Sequence, residues 1–156
     1  MYDVITIWGN PLSHLLVHSV FSTKDRRPFL RSEETRNEIY AYMAGILKNL
    51  ECPPVKIGGV EDHVHILCSL SKNIAFSELI GRIKGSSSKR LKEKGIQGFA
   101  WQNGYGAFSV SESDAEAVIL YITNQAEHHR KFSFQEEVRE LLKRHRMTFD
   151  ERYVWD

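Results

Sequence analysis

The chain of 156 residues carries 21 Lys and Arg against 20 Asp and Glu, a formal net charge of +1, with 42% hydrophobic and 26% charged residues. A chain of that size buries roughly two thirds of its unfolded surface as a single domain without disulfide or metal staples, and its near-neutral charge by itself singles out no class of partner. No apolar run reaches the ~20 residues of a membrane-spanning helix. The start MYDVITIWGNPLS lacks the basic and apolar blocks of a secretory signal. Cys52 and Cys68 form no CxxC pair, so a cytoplasmic chain with reduced thiols is expected, Cys68 serving as a small buried apolar residue.

In chain order, HLLVHSVFS (14–22) reads as a β-rich strand ended by the polar KDRRP turn. SEETRNEIYAYMAGILKNL (32–50) reads as a helix, opened by Ser32 with acids in its first turn and Ile39, Tyr42, Met43, Ile46 and Leu50 at helical spacing. Strands follow at 55–61 (VKIGGVE), after a Pro-Pro break, and at 63–70 (HVHILCSL). The segment 76–94 predicts a helix with Phe76, Leu79, Ile80 and Ile83 as its buried stripe, and a loop at 95–104 leads to a strand at 105–111. Helices are expected at 114–131, with Ser111 or Ser113 as N-cap, and at 133–146. There are no repeats, low-complexity segments or linkers that would divide the chain. The order β-α-β-β-α-β plus two helices predicts an α+β, ferredoxin-like split βαβ fold. Its four-stranded antiparallel sheet would carry both crossover helices on one face. Such a fold hosts many functions and decides none of them.

The strand at 63–70 poses the functional question, because His63 and His65 share one face of it while Val64 and Ile66 share the other. Two imidazoles two residues apart can converge on one metal ion. With seven histidines in the chain, the spacing alone decides nothing, and a third ligand is needed. The helix at 114–131 offers candidates. Ala115, Val118, Ile119, Ile122, Ala126 and His129 form its apolar stripe, so His129 reads as structural. Tyr121 and Gln125, four residues apart, stack on a common face at the stripe's shoulder, which leaves the tyrosine hydroxyl half-exposed. His128 shares a face with Tyr121 and could touch a substrate.

HVH followed 56 residues later by YITNQ resembles the single-tyrosine HUH transposases of bacterial insertion sequences, including the REP-associated tyrosine transposases. The segments LLVHSVFSTKDRRPFL, EDHVHIL, LIGRIKGSSSKRLK, WQNGYGAFSVS and YITNQAEHH resemble that family in the same order. The resemblance implies a transposase domain at 13–147, a tail at 148–156, and an N-terminal extension or expression remnant at 1–12. It also implies a metal-dependent enzyme that cuts and rejoins single-stranded DNA through a 5′-phosphotyrosine. Tyr121 would be the nucleophile, with His63, His65 and the Gln125 amide oxygen holding Mg²⁺ or Mn²⁺. A homodimer acting on hairpin-containing element ends, nucleoid-associated when bound to DNA, is the expected setting. Asp62 would point away from the site if its strand is regular.

In that light the basic stretch GRIKGSSSKRLKEK, with Arg82, Lys84, Lys89 and Arg90 around small residues 85–88, is a candidate phosphate track. A solvated helix face is the plainer reading of the same charges. Trp101, Tyr105 and Phe108 could stack on bases or serve as loop anchor and core. Two other functions compete: a small Zn²⁺ enzyme using His63, His65 and His128, and a catalytically silent nucleic-acid-binding module of ferredoxin-like fold.

Overall fold

A computed structural model describes residues 13–155; the expected extension at 1–12 lies outside them. Strands β1 (Leu16–Ser22), β2 (Pro54–Gly59), β3 (His63–Ser69) and β4 (Gly106–Val110) form one antiparallel sheet in the order β2-β3-β1-β4. Helices α1 (Glu33–Asn49) and α2 (Phe76–Glu93) are the two crossovers. The fold is the expected split βαβ arrangement. Three further helices follow: α3 (Ala115–Thr123), α4 (Gln125–His128) and α5 (Phe134–Arg144).

The two faces of the sheet have different jobs. On one, Val64, Ile66 and Cys68 of β3 pack with Ile39, Met43 and Leu47 of α1 and Leu79, Ile80, Ile83 and Leu91 of α2. The Ser32 hydroxyl caps α1 by accepting from the Thr35 amide at 3.3 Å. Tyr42, expected in the stripe, lies at its exposed edge. Trp101 and Phe108 are buried, whereas Tyr105 is exposed. Trp101 donates its indole N–H to Ser87 Oγ at 2.9 Å and packs edge-on against Phe21 and Phe99. It is core, not a base-stacking platform.

The other face carries the alternate residues of β3, His63, His65 and Leu67, beside His18 and Val20 of β1. Helices α3, α4 and α5 cover this face. Two glycines permit the covering. An added Cβ at Gly58 would stand 2.9 Å from Ile122 Cγ2 and 3.0 Å from the Ile122 carbonyl oxygen, so α3 lies directly on β2. A Cβ at Gly59 would meet the His63 carbonyl oxygen at 2.3 Å, so the turn that delivers His63 also requires glycine.

The helix expected at 114–131 is divided. It ends at Thr123, and Asn124 turns the chain before α4. The break turns Gln125 inward and leaves Ala126 exposed, contrary to an uninterrupted stripe. Helix α5 starts with a full capping box: Ser133 Oγ accepts from the Glu136 amide at 3.2 Å, and Glu136 accepts from the Ser133 amide at 2.7 Å. Its buried face is Phe134, Glu137, Val138, Leu141 and Leu142. The tail packs back on this layer through Phe149, Val154 and Trp155. Among the described residues no helix is long and apolar enough to cross a membrane.

Candidate active site

Glu137 projects from α5 into the centre of the histidines and is only 2% exposed. Its Oε1 lies 2.9 Å from His65 Nε2 and 3.3 Å from His63 Nε2. Its Oε2 accepts from the Tyr121 hydroxyl and, at 3.0 Å, from the Gln125 amide nitrogen. His129 Nε2 and His128 Nε2 approach the same oxygen at 3.2 and 3.3 Å, without the alignment of a hydrogen bond. One carboxylate therefore faces the histidine pair with one oxygen and the tyrosine with the other.

The far nitrogens of the strand histidines are also occupied. His63 Nδ1 donates to Asp62 Oδ1 at 2.6 Å, and His65 Nδ1 lies 2.8 Å from His18 Nε2. Asp62 precedes β3 in a bend, so strand alternation does not govern it, and its carboxylate turns to His63 instead of away. Each imidazole thus keeps Nε2 pointed at Glu137, the orientation that metal-binding histidines receive from outer partners.

The electrostatics follow from burial and these partners. Burial alone would lower the His63 pKa, but the hydrogen bond to Asp62 and the adjacent Glu137 carboxylate outweigh it and raise the value to about 9. His63 is then an imidazolium, donating from Nδ1 to Asp62 and from Nε2 to the Gln125 amide oxygen at 3.0 Å. Burial lowers His65, with the positive His63 adding to the effect, against the pull of Glu137. Burial and the neighbouring His65 push His18 down to about 3. Burial would raise the Glu137 carboxyl, yet the close imidazoles of His129, His63 and His65 hold it far below the usual carboxylate range. Tyr121 is pushed well above its ordinary value, first by burial and then by the Glu137 charge. Its hydroxyl is a weak nucleophile until positive charge is brought near it.

Tyr121, His18, His128 and Phe132 line a cavity of about 750 Å³ between α3 and α5, with Arg139 and Arg144 on its wall. A substrate can reach the hydroxyl from there. The residues expected to form the site, Tyr121, His63, His65 and Gln125, are thus brought together. His129, expected to be structural, faces His63 with ring centroids 4.4 Å apart. Glu137 and His18 were missed by sequence reasoning. The available signals were a carboxylate inside the apolar stripe of α5 and a histidine in the middle of a β-rich strand.

The basic helix α2 lies across the sheet from this site, on the face built around Val64 and Ile66. Arg82, Lys89 and Arg90 are exposed. The Lys84 amine donates to the carbonyl oxygens of Gln102 and Gly104 at 2.8 and 2.7 Å, so it closes the 95–104 loop, and burial lowers its pKa to about 8.

The family model described as "Transposase IS200 like" matches residues 11–125. The chain belongs to the IS200-like transposase family. No curated protein is similar enough to count as a match. Among solved structures, the transposase resembles a proposed transposase of Deinococcus radiodurans R1 at 21% identity and a TM-score of 0.60, over 74% of this chain and 94% of that one. It also resembles a REP-associated tyrosine transposase bound to a REP hairpin, at 14% identity and a TM-score of 0.58, over 77% and 73% of the two chains. At these identities the likeness speaks for the fold, whereas the family match carries the DNA transposase activity.

Proposed function

We propose that this transposase cleaves and rejoins single-stranded DNA through a phosphotyrosine on Tyr121, with the help of a divalent metal ion at His63 and His65. The observation that carries the reading is the junction at Glu137, which places the Tyr121 hydroxyl beside the two histidines of its own chain. A hydroxyl whose pKa is raised at the floor of an open cavity is poorly placed for spontaneous ionisation but well placed for a directed attack on a phosphodiester.

In the cleavage step the Tyr121 oxygen forms a bond to phosphorus as the bond from phosphorus to the 3′ oxygen breaks. The tyrosine gives up one proton to solvent and the departing 3′ oxygen takes up one, so the exchange balances, while Glu137 orients the hydroxyl as its hydrogen-bond acceptor. The phosphoester is conserved in the new linkage, and the reverse attack by a 3′-hydroxyl rejoins strands without an external energy source. Gln125 holds Glu137 through its amide nitrogen while its oxygen faces His63, the position expected of a third ligand. A bound divalent ion would supply positive charge to the phosphate oxygens in the transition state. Asp62 holds His63 with its Nδ1 as donor, and His18 Nε2 could accept from His65 Nδ1 in the same way once an ion took the place of the His65 Nε2 proton.

A single strand is the expected substrate form, since a phosphate in a paired, stacked strand cannot enter a cavity between two helices. The hairpin in the REP-associated relative supports folded single-stranded element ends as the substrate class. A homodimer and Mg²⁺ or Mn²⁺ as the ion belong to the same proposal. Incubating the protein with labelled hairpin oligonucleotides, with and without EDTA, tests it. A covalent protein–DNA species that forms only with metal, and is lost in His63→Ala and His65→Ala, is expected. Undiminished adduct in EDTA would refute the metal requirement. Gln125→Ala should cost less than either histidine, because water can replace a neutral oxygen ligand.

A further inference from the structure

We propose that His129 and Glu137, which lie beyond the family-matched stretch, are metal ligands together with His63 and His65. Beside the Gln125 amide oxygen, the resulting set of three imidazoles and one carboxylate favours a first-row transition ion over Mg²⁺. This rests on the metal-dependent reading above and extends it, because the segment after Gln125 then completes the site.

Four observations converge on it. One ligand atom from each of the four residues lies within 4.8 Å of all the others, the clustering that a single ion requires. Glu137 occupies a packing position of α5 between Phe134, Val138 and Leu141, where an apolar side chain would serve stability better. A carboxylate survives such burial only when charge or hydrogen bonds compensate it. His129 Nε2 is buried and lacks a hydrogen-bond partner although Glu137 Oε2 is 3.2 Å away. A nitrogen so placed faces the cluster without being satisfied by it. Finally, the Nδ1 atoms of His63 and His65 are tied to Asp62 and His18, leaving only Nε2 for the centre.

The donor chemistry sets the preference. Mg²⁺ takes oxygen ligands and retains its water, whereas imidazole nitrogen suits Mn²⁺, Co²⁺ and Zn²⁺. A second consequence follows from Glu137 Oε2, which accepts the Tyr121 hydrogen bond. The C-terminal helix fixes the spacing between nucleophile and ion, so occupancy of the site and seating of α5 are one event.

The test is calorimetric titration of the metal-free, full-length protein with MnCl₂ and MgCl₂, in the absence of DNA. Mn²⁺ should bind at least about tenfold more tightly than Mg²⁺. Glu137→Gln and His129→Ala should each weaken Mn²⁺ by about tenfold or more while keeping the wild-type circular dichroism spectrum. If Glu137→Gln does not fold, His129→Ala alone decides. Mn²⁺ affinity within about threefold of wild type in a folded His129→Ala protein would overturn the assignment, as would equal affinity for the two ions. Because no DNA is present, the outcome is separable from the cleavage reading. Four-ligand binding without any adduct would uphold this site and sink the proposed function, and adducts alongside unaltered Mn²⁺ binding in His129→Ala would do the reverse.

Discussion

Replacing Gly58 by alanine should displace the nucleophile without touching any residue of the site. The new Cβ would stand 2.9 Å from Ile122 Cγ2 and 3.0 Å from the Ile122 carbonyl oxygen, whereas carbon contacts settle near about 3.5–4.0 Å. The side-chain methyl can rotate away, but the carbonyl belongs to the helix backbone, so α3 must retreat from β2 by roughly 0.5–1 Å. Overpacking of this kind costs about 1–3 kcal/mol, which for a chain of this size lowers Tm by roughly 2–12 °C. Ile122 adjoins Tyr121, so the hydroxyl moves with the helix, and a misplacement near 1 Å lowers the cleavage rate by up to about a hundredfold. Thermal denaturation and the rate of covalent adduct formation measure the two effects on one preparation. Ile122→Ala removes one of the two clashing groups, so the double variant should lose less stability than the sum of the single ones. A Gly58→Ala protein with wild-type Tm and adduct rate would refute the claim that close docking of α3 on β2 positions Tyr121.

The metal-free protein should lose stability in acid through His18. Its folded pKa of about 3 lies below the ordinary 6.5, so the unfolded chain takes up the proton first and stability falls as pH drops below about 6.5. One such proton contributes a slope of at most about 1.4 kcal/mol per pH unit. His63, raised to about 9, has the opposite sign: its contribution is intact below pH 6.5 and fades as pH rises through 9. Urea denaturation between pH 4 and 7 should therefore show a shallower slope in His18→Asn, and an unaltered slope would contradict the buried neutral assignment. For the DNA path, replacing Arg82, Lys89 and Arg90 by alanine should flatten the plot of log affinity against log salt by about 2, roughly 0.7 for each phosphate no longer neutralised. An unchanged slope would make α2 a solvated face. Lys84→Ala should chiefly lower Tm, since its amine closes the loop after Gln102, and a weaker salt dependence with an unaltered Tm would reverse that assignment.

The sheet and its crossover helices were legible because their patterns are local: alternation in β3, an N-cap and stripe in α1, a Pro-Pro break before β2. The Tyr121 helix was legible in type but not in extent. The chain turns at Asn124, and no strong breaker marks the place in YITNQAEHH. His63, His65, Tyr121 and Gln125 were recoverable from spacing joined to a family resemblance. Glu137 was hidden because acidic residues are common on helix surfaces, and only its place in the stripe beside Phe134 and Val138 sets it apart. His18 was hidden for a related reason. A histidine in a strand reveals its face only when the register is known, and here the Val20–His65 pairing brings it beside the HVH pair. Asp62 was misdirected by extending strand alternation one residue past the strand's start.

The central claim is that Tyr121 attacks the phosphodiester. The most direct measurement is peptide mass spectrometry of the covalent species formed with a single-stranded hairpin oligonucleotide in Mn²⁺, alongside the same incubation of Tyr121→Phe. The account predicts a nucleotide joined through a 5′ phosphate to Tyr121, and no adduct in Tyr121→Phe despite retained DNA binding. An adduct on Tyr105, Tyr153 or any other residue, or one that persists in Tyr121→Phe, would contradict it.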